Sequence, residues 1–547
     1  MIEKKEIQST MNKKIYIALI VLILIFAIII RIWNWPNTIG DINCDEAMSA
    51  INAKSIAENG TDIYGTTYPI YFEGWLYSGQ SAFAIYAIAF FIKIFGFSTI
   101  SIRLPILLIS ISSLFFILLL INRVFKNKTM SLIVLSLLAI NPWDILQSQW
   151  CLDCNFYPHI MLIAVYLLYR GIEDKKTIEL YISMIMFAIT LYAYGIALYL
   201  TPTFLLIVAI YLLMKKKITI KKLLLCIMLF LLVALPIILM TIVNLFNLST
   251  ISIGKLTIQN FSYVTREDDM LFFSDNIIAT LLNNINCLID VLLYQVDGLP
   301  WNAFSGFGTI YLISLPIIIV EIIFMCYEFF TKEERYNRFG IVLILTWLLI
   351  GLVCGIVINS VNINRINIIW YVLVIINGIG IYEMVRVLKY KRVLSILFIL
   401  LYSINFLGFI NYYHTAGNKE IVNSFTWSKG LVEAIQYVEN SSQDKVILSN
   451  KVSNTDKKDI FIRYGTEVGQ KEQNISKEEF FKYYIRDEKP DLNFSTGEKE
   501  YVISEIVDNT FLTEPIYIIT KEEESNIANI DNYQKEIFNN YIVLIEK

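Results

Sequence analysis

Apolar residues in this chain come in long unbroken runs. They show neither the period-two alternation of half-buried strands nor the narrow stripe of a surface helix. Runs of spanning length cover residues 15–32, 104–121, 129–142, 156–169, 178–194, 196–214, 221–243, 309–330, 338–358, 366–385 and 392–411, two of them short. Lysine and arginine gather between them, at Lys4, Lys5, Lys13 and Lys14, then in 122–128, 170–176, 215–222, 332–338 and 386–392. The positive-inside rule places all six stretches in the cytoplasm. One further apolar stretch, residues 81–95, would send every later basic loop outside if it spanned. It is therefore expected to lie along the outer interface or to re-enter. The pattern predicts about eleven transmembrane helices, a cytoplasmic N-terminus and an extracytoplasmic C-terminus. The outer face then holds a first loop 33–103, a large loop 244–308, and residues 142–155, 192–195, 359–365 and 412–547. No small-residue cleavage site follows the first run, which reads as a retained anchor.

The pattern changes near Asn411, where the chain turns charged and polar. Strand-like runs follow at Lys445–Ser449, Asp459–Tyr464, Glu500–Val507, Pro515–Thr520 and Asn540–Ile545, with a helical pattern over Ser428–Glu439. Residues 1–411 thus read as a membrane module and 412–547 as a small extracytoplasmic α/β domain. Composition agrees: 56% of the 547 residues are hydrophobic and 17% charged, against about 25% charged in soluble domains. The fold class is mainly α, a multi-pass protein of the plasma membrane. The formal net charge of −3 says little about partners, and the lack of a basic stripe excludes nucleic-acid binding.

Polar chemistry collects on the outer face. Asp45 and Glu46 follow Asn43, which can cap a helix whose first turn holds both acids, where negative charge is favoured. Ala47, Met48 and Ile51 give that helix an apolar edge for the interface. Two adjacent carboxylates beside a membrane are costly unless they work or are solvated, so the pair is either a site or ordinary helix-start chemistry on a wet loop. Asp153, at the outer end of the next membrane pair, is a site ligand or a boundary residue. Glu73 is a metal-ligand candidate or a solvated loop acid. Arg103 and Arg365 stand at outer ends of spans, against the charge trend. They suit an anionic ligand or snorkel to headgroups. Cys151 and Cys154 with His159 resemble half a zinc site. The second half is missing, so a disulfide, with Cys44 as a possible third partner, or packed thiols fit better. Tyr192, Tyr194, Trp75, Trp143, Trp150 and Trp301 are interfacial-belt residues by default, with stacking on a sugar as the alternative.

In order along the chain, Asp45-Glu46, Ala57-Glu-Asn-Gly-Thr-Asp62, Ser78-Gly-Gln-Ser81, Arg103-Leu-Pro105, Asn141-Pro-Trp143, the Leu152-Asp153 step and Leu191-Tyr-Ala-Tyr-Gly195 resemble the GT-C glycosyltransferases. The similarity runs over residues 15–411 and is greatest to the branch of protein O-mannosyltransferases and aminoarabinose transferases, the family 39 enzymes of bacteria. The resemblance implies a GT-C fold, Asp45 as the main catalytic acid with Glu46 beside it, Asp153 as the acid closing the second motif, and Arg103 tied to the active site. Glu73 matches a metal-binding glutamate in a Tyr-Phe-Glu context, although Gly74-Trp75 replace the usual Lys-Pro. Ser148-Gln149 likewise stand where many relatives have Ser-Arg.

The resemblance further implies a polyprenyl-phosphate sugar as donor, held in the bilayer with its phosphate at the interface, and no Gly-rich nucleotide loop contradicts this. Such a leaving group needs charge stabilisation, expected from Arg103, Arg365 or a divalent metal. The acceptor hydroxyl, on a protein, lipid or wall polymer, needs one general base, expected to be Asp45. Single displacement with inversion follows. A flippase or exporter of lipid-linked sugars, and a lipid-sugar polymerase or ligase, are the competing classes. A flippase predicts ionisable groups near the bilayer midplane, whereas here the spans are nearly free of charge.

Overall fold

The computed structural model describes residues 11–74, 79–261, 270–331, 335–452, 455–467, 492–496, 499–504, 515–527 and 530–547. It opens with α1 (Lys13–Ile32), then α2 (Cys44–Asn59), a short hairpin of β1 (Tyr71–Glu73) and β2 (Gly79–Ser81), α3 (Ala82–Phe95) and α4 (Thr99–Phe125). There follow α5 (Lys128–Ala139), α6 (Pro142–Gln147), α7 (Phe156–Glu173), α8 (Thr177–Ala193), α9 (Ala197–Met214) and α10 (Ile220–Leu245). A second small hairpin, β3 (Ile251–Ile253) and β4 (Leu256–Ile258), precedes α11 (Ile277–Tyr294), α12 (Leu315–Phe330), α13 (Arg338–Val357), α14 (Ile369–Val387) and α15 (Lys391–Tyr412). Asparagine repeatedly sets the helix starts. The side-chain oxygens of Asn12, Asn43, Asn127, Asn141, Asn276 and Asn337 each accept an N–H of the first turn, groups that would otherwise lack partners.

Helices coincide with all eleven expected spans. Among the described residues nine helices are long and apolar enough to cross a membrane, and eight of these are among the eleven. The other three, α5, α7 and α8, fall short of that measure, and the ninth is α11. α13 and α14 are enclosed by their neighbours, while α1, α10 and α15 turn most of their apolar surface outward, as lipid-facing helices do. Close approach inside the bundle uses glycine: a Cβ on Gly378 of α14 would lie 2.4 Å from a methyl of Val134 on α5.

The basic stretches meet at one end of the bundle. Lys128 reaches the Met11 carbonyl, Arg123 pairs with Asp174 at 2.6 Å, Glu173 takes both Lys217 and Asn337, and Glu383 pairs with Arg335 and Arg386. Lys4 and Lys5 lie outside the described residues. The opposite end carries α2, α3, α6 and the hairpins, and is called the site end below. α3 packs along α2 and α4. It begins at Ser81 beside Asp153 and ends next to Phe97, whose ring meets Tyr464, so both its ends stay at the site end.

The loop 244–308 contains α11, an apolar helix. Its flank at Met270 bridges Ile358, and Asn284 in its middle donates to the Ile356 carbonyl. Gln295, at its C-cap, accepts from Thr309, whose carbonyl takes the Asn141 amide. All of these partners belong to the site end, so α11 lies across that end. Asp459–Tyr464, read as a strand, falls within α18 (Thr455–Gly465). Three apolar residues, Ile460, Phe461 and Ile462, between two charges are too short a run to separate the two periods.

The shift at Asn411 falls inside a helical run that continues from α15 through a π-turn at Tyr413–Gly417 into α16 (Asn418–Val422). Beyond it come α17 (Leu431–Glu439), β5 (Lys445–Ser449), α18, β6 (Leu492–Thr496), β7 (Lys499–Ser504), β8 (Ile516–Thr520), β9 (Tyr533–Phe538) and β10 (Tyr541–Glu546). The sheet order is β6-β7-β5-β8-β10-β9, with β5 parallel to both β7 and β8. β6 and β9 were not foreseen. Both are edge strands with polar residues in their sequences, which weakens the hydrophobic signal. α18 packs directly on α2.

Replacing Gly378 by valine should force α5 and α14 apart and cost about 1–3 kcal/mol. A melting temperature of the detergent-solubilised protein unchanged from wild type would contradict the close packing.

Candidate active site

The start of α2 sorts its two acids. Asn43 accepts the Asp45 N–H at 2.9 Å, and successive helical residues then point about 100° apart. Glu46 turns inward and is fully buried; Asp45 remains partly exposed. Glu46 takes Arg103 in two-point fashion, Nε at 2.9 Å and a terminal nitrogen at 2.8 Å, and also accepts the Cys151 N–H at 2.9 Å. The other three hydrogens of Arg103 go to the carbonyls of Pro36, Ile39 and Asp41. A buried guanidinium whose five donors are all used has none left for a phosphate. The expectation that Arg103 binds the donor phosphate is corrected on this ground, and so is that of Glu46 as a group touching substrate. Together they are an internal clamp joining α2, α4, the 36–41 loop and the segment before Asp153.

Asp153 opens a single 3-10 turn, Asp153–Asn155, and is partly exposed. Its carboxylate accepts from Ser81 N at 3.0 Å and Cys154 N at 2.7 Å. The residue before Ser81, Gln80, donates to the Asp45 carbonyl at 3.1 Å. β2 thus lies between the two acids and brings them to one place. Glu73 is buried on β1, opposite Gly79. Among the described residues no three His, Cys, Asp or Glu side chains converge as metal ligands. Arg365 is partly exposed in the α13–α14 loop. It donates to the Asn359 carbonyl, and Asp297 holds the same loop through Ile363 N at 2.9 Å. Two residues on, Asn367 donates to the Cys154 carbonyl at 2.7 Å, which ties this loop to the acid-bearing turn. Of the two arginines, Arg365 is the one that keeps an exposed surface at the site end.

Cys44, Cys151 and Cys154 are buried and are not joined to one another by a disulfide. Burial, with Glu46 and Asp153 nearby, pushes the Cys151 thiol well up, which disfavours the thiolate a zinc ligand requires. His159 belongs elsewhere: its Nδ1 lies 2.8 Å from Ser113 and 2.6 Å from Tyr371, whose hydroxyl donates to Asp144. Asp144 pairs with Arg31, both fully buried. Sequence reading passed over this ion pair and Tyr371. A lone arginine in the last turn of one span and an acid just past the end of another were the available signal, since charges inside a membrane pair with one another. Trp143, Trp150 and Trp301 are buried in the core and form no interfacial belt. Tyr192 donates to the Val233 carbonyl. Trp75 lies outside the described residues.

A family model described as dolichyl-phosphate-mannose-protein mannosyltransferase matches residues 80–240, the stretch from β2 into α10. No curated protein sequence matches the chain. Among solved structures, ArnT from Cupriavidus metallidurans in the apo state superposes with a TM-score of 0.54 at 10% identity, over 97% of each chain. The same protein bound to undecaprenyl phosphate gives 0.52 at 10% identity over the same shares. The chain has the GT-C glycosyltransferase fold. The archaeal oligosaccharyltransferase AglB from Archaeoglobus fulgidus, in complex with an inhibitory peptide and a dolichol-phosphate, matches with a TM-score of 0.52 at 12% identity. That match covers 84% of this chain and 64% of AglB.

Within this GT-C fold, the loop before Asp45 also meets the C-terminal unit. The Asp41 carboxylate accepts from Ser428 Oγ and from Lys429 N at 2.6 Å, and burial pushes its pKa up to about 6.

The clamp and Asp41 each give a test. Arg103→Met should lose about 3–5 kcal/mol of stability by stranding the Glu46 charge, and adding Glu46→Met should recover part of that loss. Denaturant unfolding of both variants measures it, and a double variant less stable than the single one would refute the pairing. A carboxyl held above its ordinary pKa binds protons more tightly in the docked form. Docking of Ser428–Lys429 should therefore be firmest below about pH 4 and weaken as pH rises through about 6. Amide exchange at Lys429, corrected for intrinsic rates, should show this difference, and Asp41→Asn should abolish it.

Proposed function

We propose that the chain is a membrane glycosyltransferase moving a sugar from a polyprenyl-phosphate donor to an acceptor hydroxyl. The observation that carries the reading is the sorting of the acids. Glu46 is neutralised inside, while Asp45 and Asp153 stay partly exposed on either side of β2 at one end of a GT-C bundle. The gathering of the basic loops at the opposite end supports an outer-face site, a cytoplasmic N-terminus and an extracytoplasmic C-terminal unit, by the positive-inside rule. The structure of ArnT bound to undecaprenyl phosphate and that of AglB with a dolichol-phosphate support a lipid-phosphate donor.

In this reading Asp45 takes the proton from the acceptor hydroxyl as its oxygen bonds to the anomeric carbon. The bond from that carbon to the phosphate oxygen breaks, and polyprenyl phosphate leaves with the electron pair. Its second pKa of about 6 lets it depart without a strong general acid. Arg365 stabilises the developing charge, Asp153 orients the acceptor, and attack opposite the phosphate inverts the anomeric centre. The acceptor is a protein, lipid or wall polymer. Flippases need charges in the spans that can change partners; here Arg31, in the last turn of α1, is locked to Asp144 of α6, which favours bond chemistry.

In membranes supplied with polyprenyl-phosphate sugars, Asp45→Asn should lower transfer by about 10²–10⁴-fold, and Arg365→Met should raise the donor KM. Release of polyprenyl phosphate measures both. Unchanged release by Asp45→Asn would sink the assignment.

A further inference from the structure

We propose that Ser424–Lys429, the segment leading into the C-terminal unit, is a strap that positions Asp45 through Asn43 and Thr426. The inference rests on the transfer reading above, in which Asp45 is the base. Three residues of the strap pair with the three residues before Asp45. Cys44 N donates to the Thr426 carbonyl at 2.8 Å, Ser428 N donates to the Ile42 carbonyl at 3.0 Å, and Asn43 and Trp427 form the antiparallel bridge between these bonds.

The side chains carry the link one step further. The Asn43 amide is buried and used at both ends: its oxygen accepts the Asp45 N–H at 2.9 Å and its nitrogen donates to Thr426 Oγ1 at 3.0 Å. The Asp45 N–H selects the amide oxygen, and a hydroxyl of the strap holds the other end of the amide that caps α2. A flipped amide would set a donor against the Asp45 N–H and lose the cap.

The strap also reaches the second acid. Trp427, buried, packs its ring 5.7 Å from that of Trp150. Trp150 immediately precedes Cys151, whose N–H is bonded to Glu46, and Asp153 lies two residues further on. One short segment thus touches both acid-bearing pieces of the site, although 383 positions separate Thr426 from Asn43. The C-terminal unit contributes to the active site through it. Thr426 touches no reacting group and is a positioning residue.

Thr426→Val keeps shape and backbone bonds and removes only the hydroxyl; Thr426→Ser restores it. In the full chain, the valine variant should transfer about tenfold more slowly, since small misplacements of a catalytic group are costly. Donor KM and melting temperature should stay near wild type, and the serine variant should recover the rate. Amide exchange at Asp45 and Glu46 should be faster in valine than in serine. Equal rates and equal exchange in the two variants would overturn the proposal. So would a joint fall of rate and melting temperature that serine does not rescue, the mark of a merely structural contact. If wild-type protein releases no polyprenyl phosphate, the transfer reading fails, and exchange at Asp45 alone then decides whether the strap orders the helix start.

Discussion

The buried pair of Glu46 and Arg103 is the contact on which the site end depends. An isolated charge in this interior would be prohibitive, and even a paired one requires its remaining hydrogens to be satisfied. Arg103 meets that requirement by collecting three carbonyls from the 36–41 loop, and Glu46 by adding the Cys151 N–H. The loop, α2, α4 and the Asp153 segment are consequently fixed with respect to one another. Asp45 owes its accessible position to this pair, because holding Glu46 inward fixes the rotation of α2.

The same logic recurs where α1 meets α6. Arg31 gives its hydrogens to Asp144, Ser110 and the carbonyls of Ala27, Leu138 and Ala139. It thereby closes the gap left where the short helix α5 ends before α6. Tyr371 and His159 extend that network to α14 and α7. At the basic end Arg335 plays a comparable part among Glu321, Glu328 and Glu383. Arg31, Arg103 and Arg335 thus act as rivets between segments, while Asp45 and Asp153 stay partly exposed at the site end.

The C-terminal unit completes the picture. Its sheet is attached by a continuous helical run and by a strap whose bonds fall on the residues capping α2. α18 also packs on α2. The loop leading to Asp45 therefore touches both the membrane bundle and the C-terminal unit, and ordering of either part bears on the geometry of the other.

Much of this was legible in the sequence. Long apolar runs with basic loops define spanning helices because a bilayer leaves the backbone no other way to satisfy its hydrogen bonds. Asn43 before two acids defines a helix start because the cap is local chemistry. Those signals placed Asp45, Asp153 and Arg365 at one end. The division of labour among them was not readable. Asp45 and Glu46 are adjacent and alike in type, and only the packing of α4 against the loop decides that Glu46 is the buried one and that Arg103 is spent on it. The pairing of Arg31 with Asp144, and of Thr426 with Asn43, joins residues 113 and 383 positions apart. Hydrophobic periodicity and capping act within a few turns of helix; contacts at such separations exist only once the tertiary fold has brought their partners together.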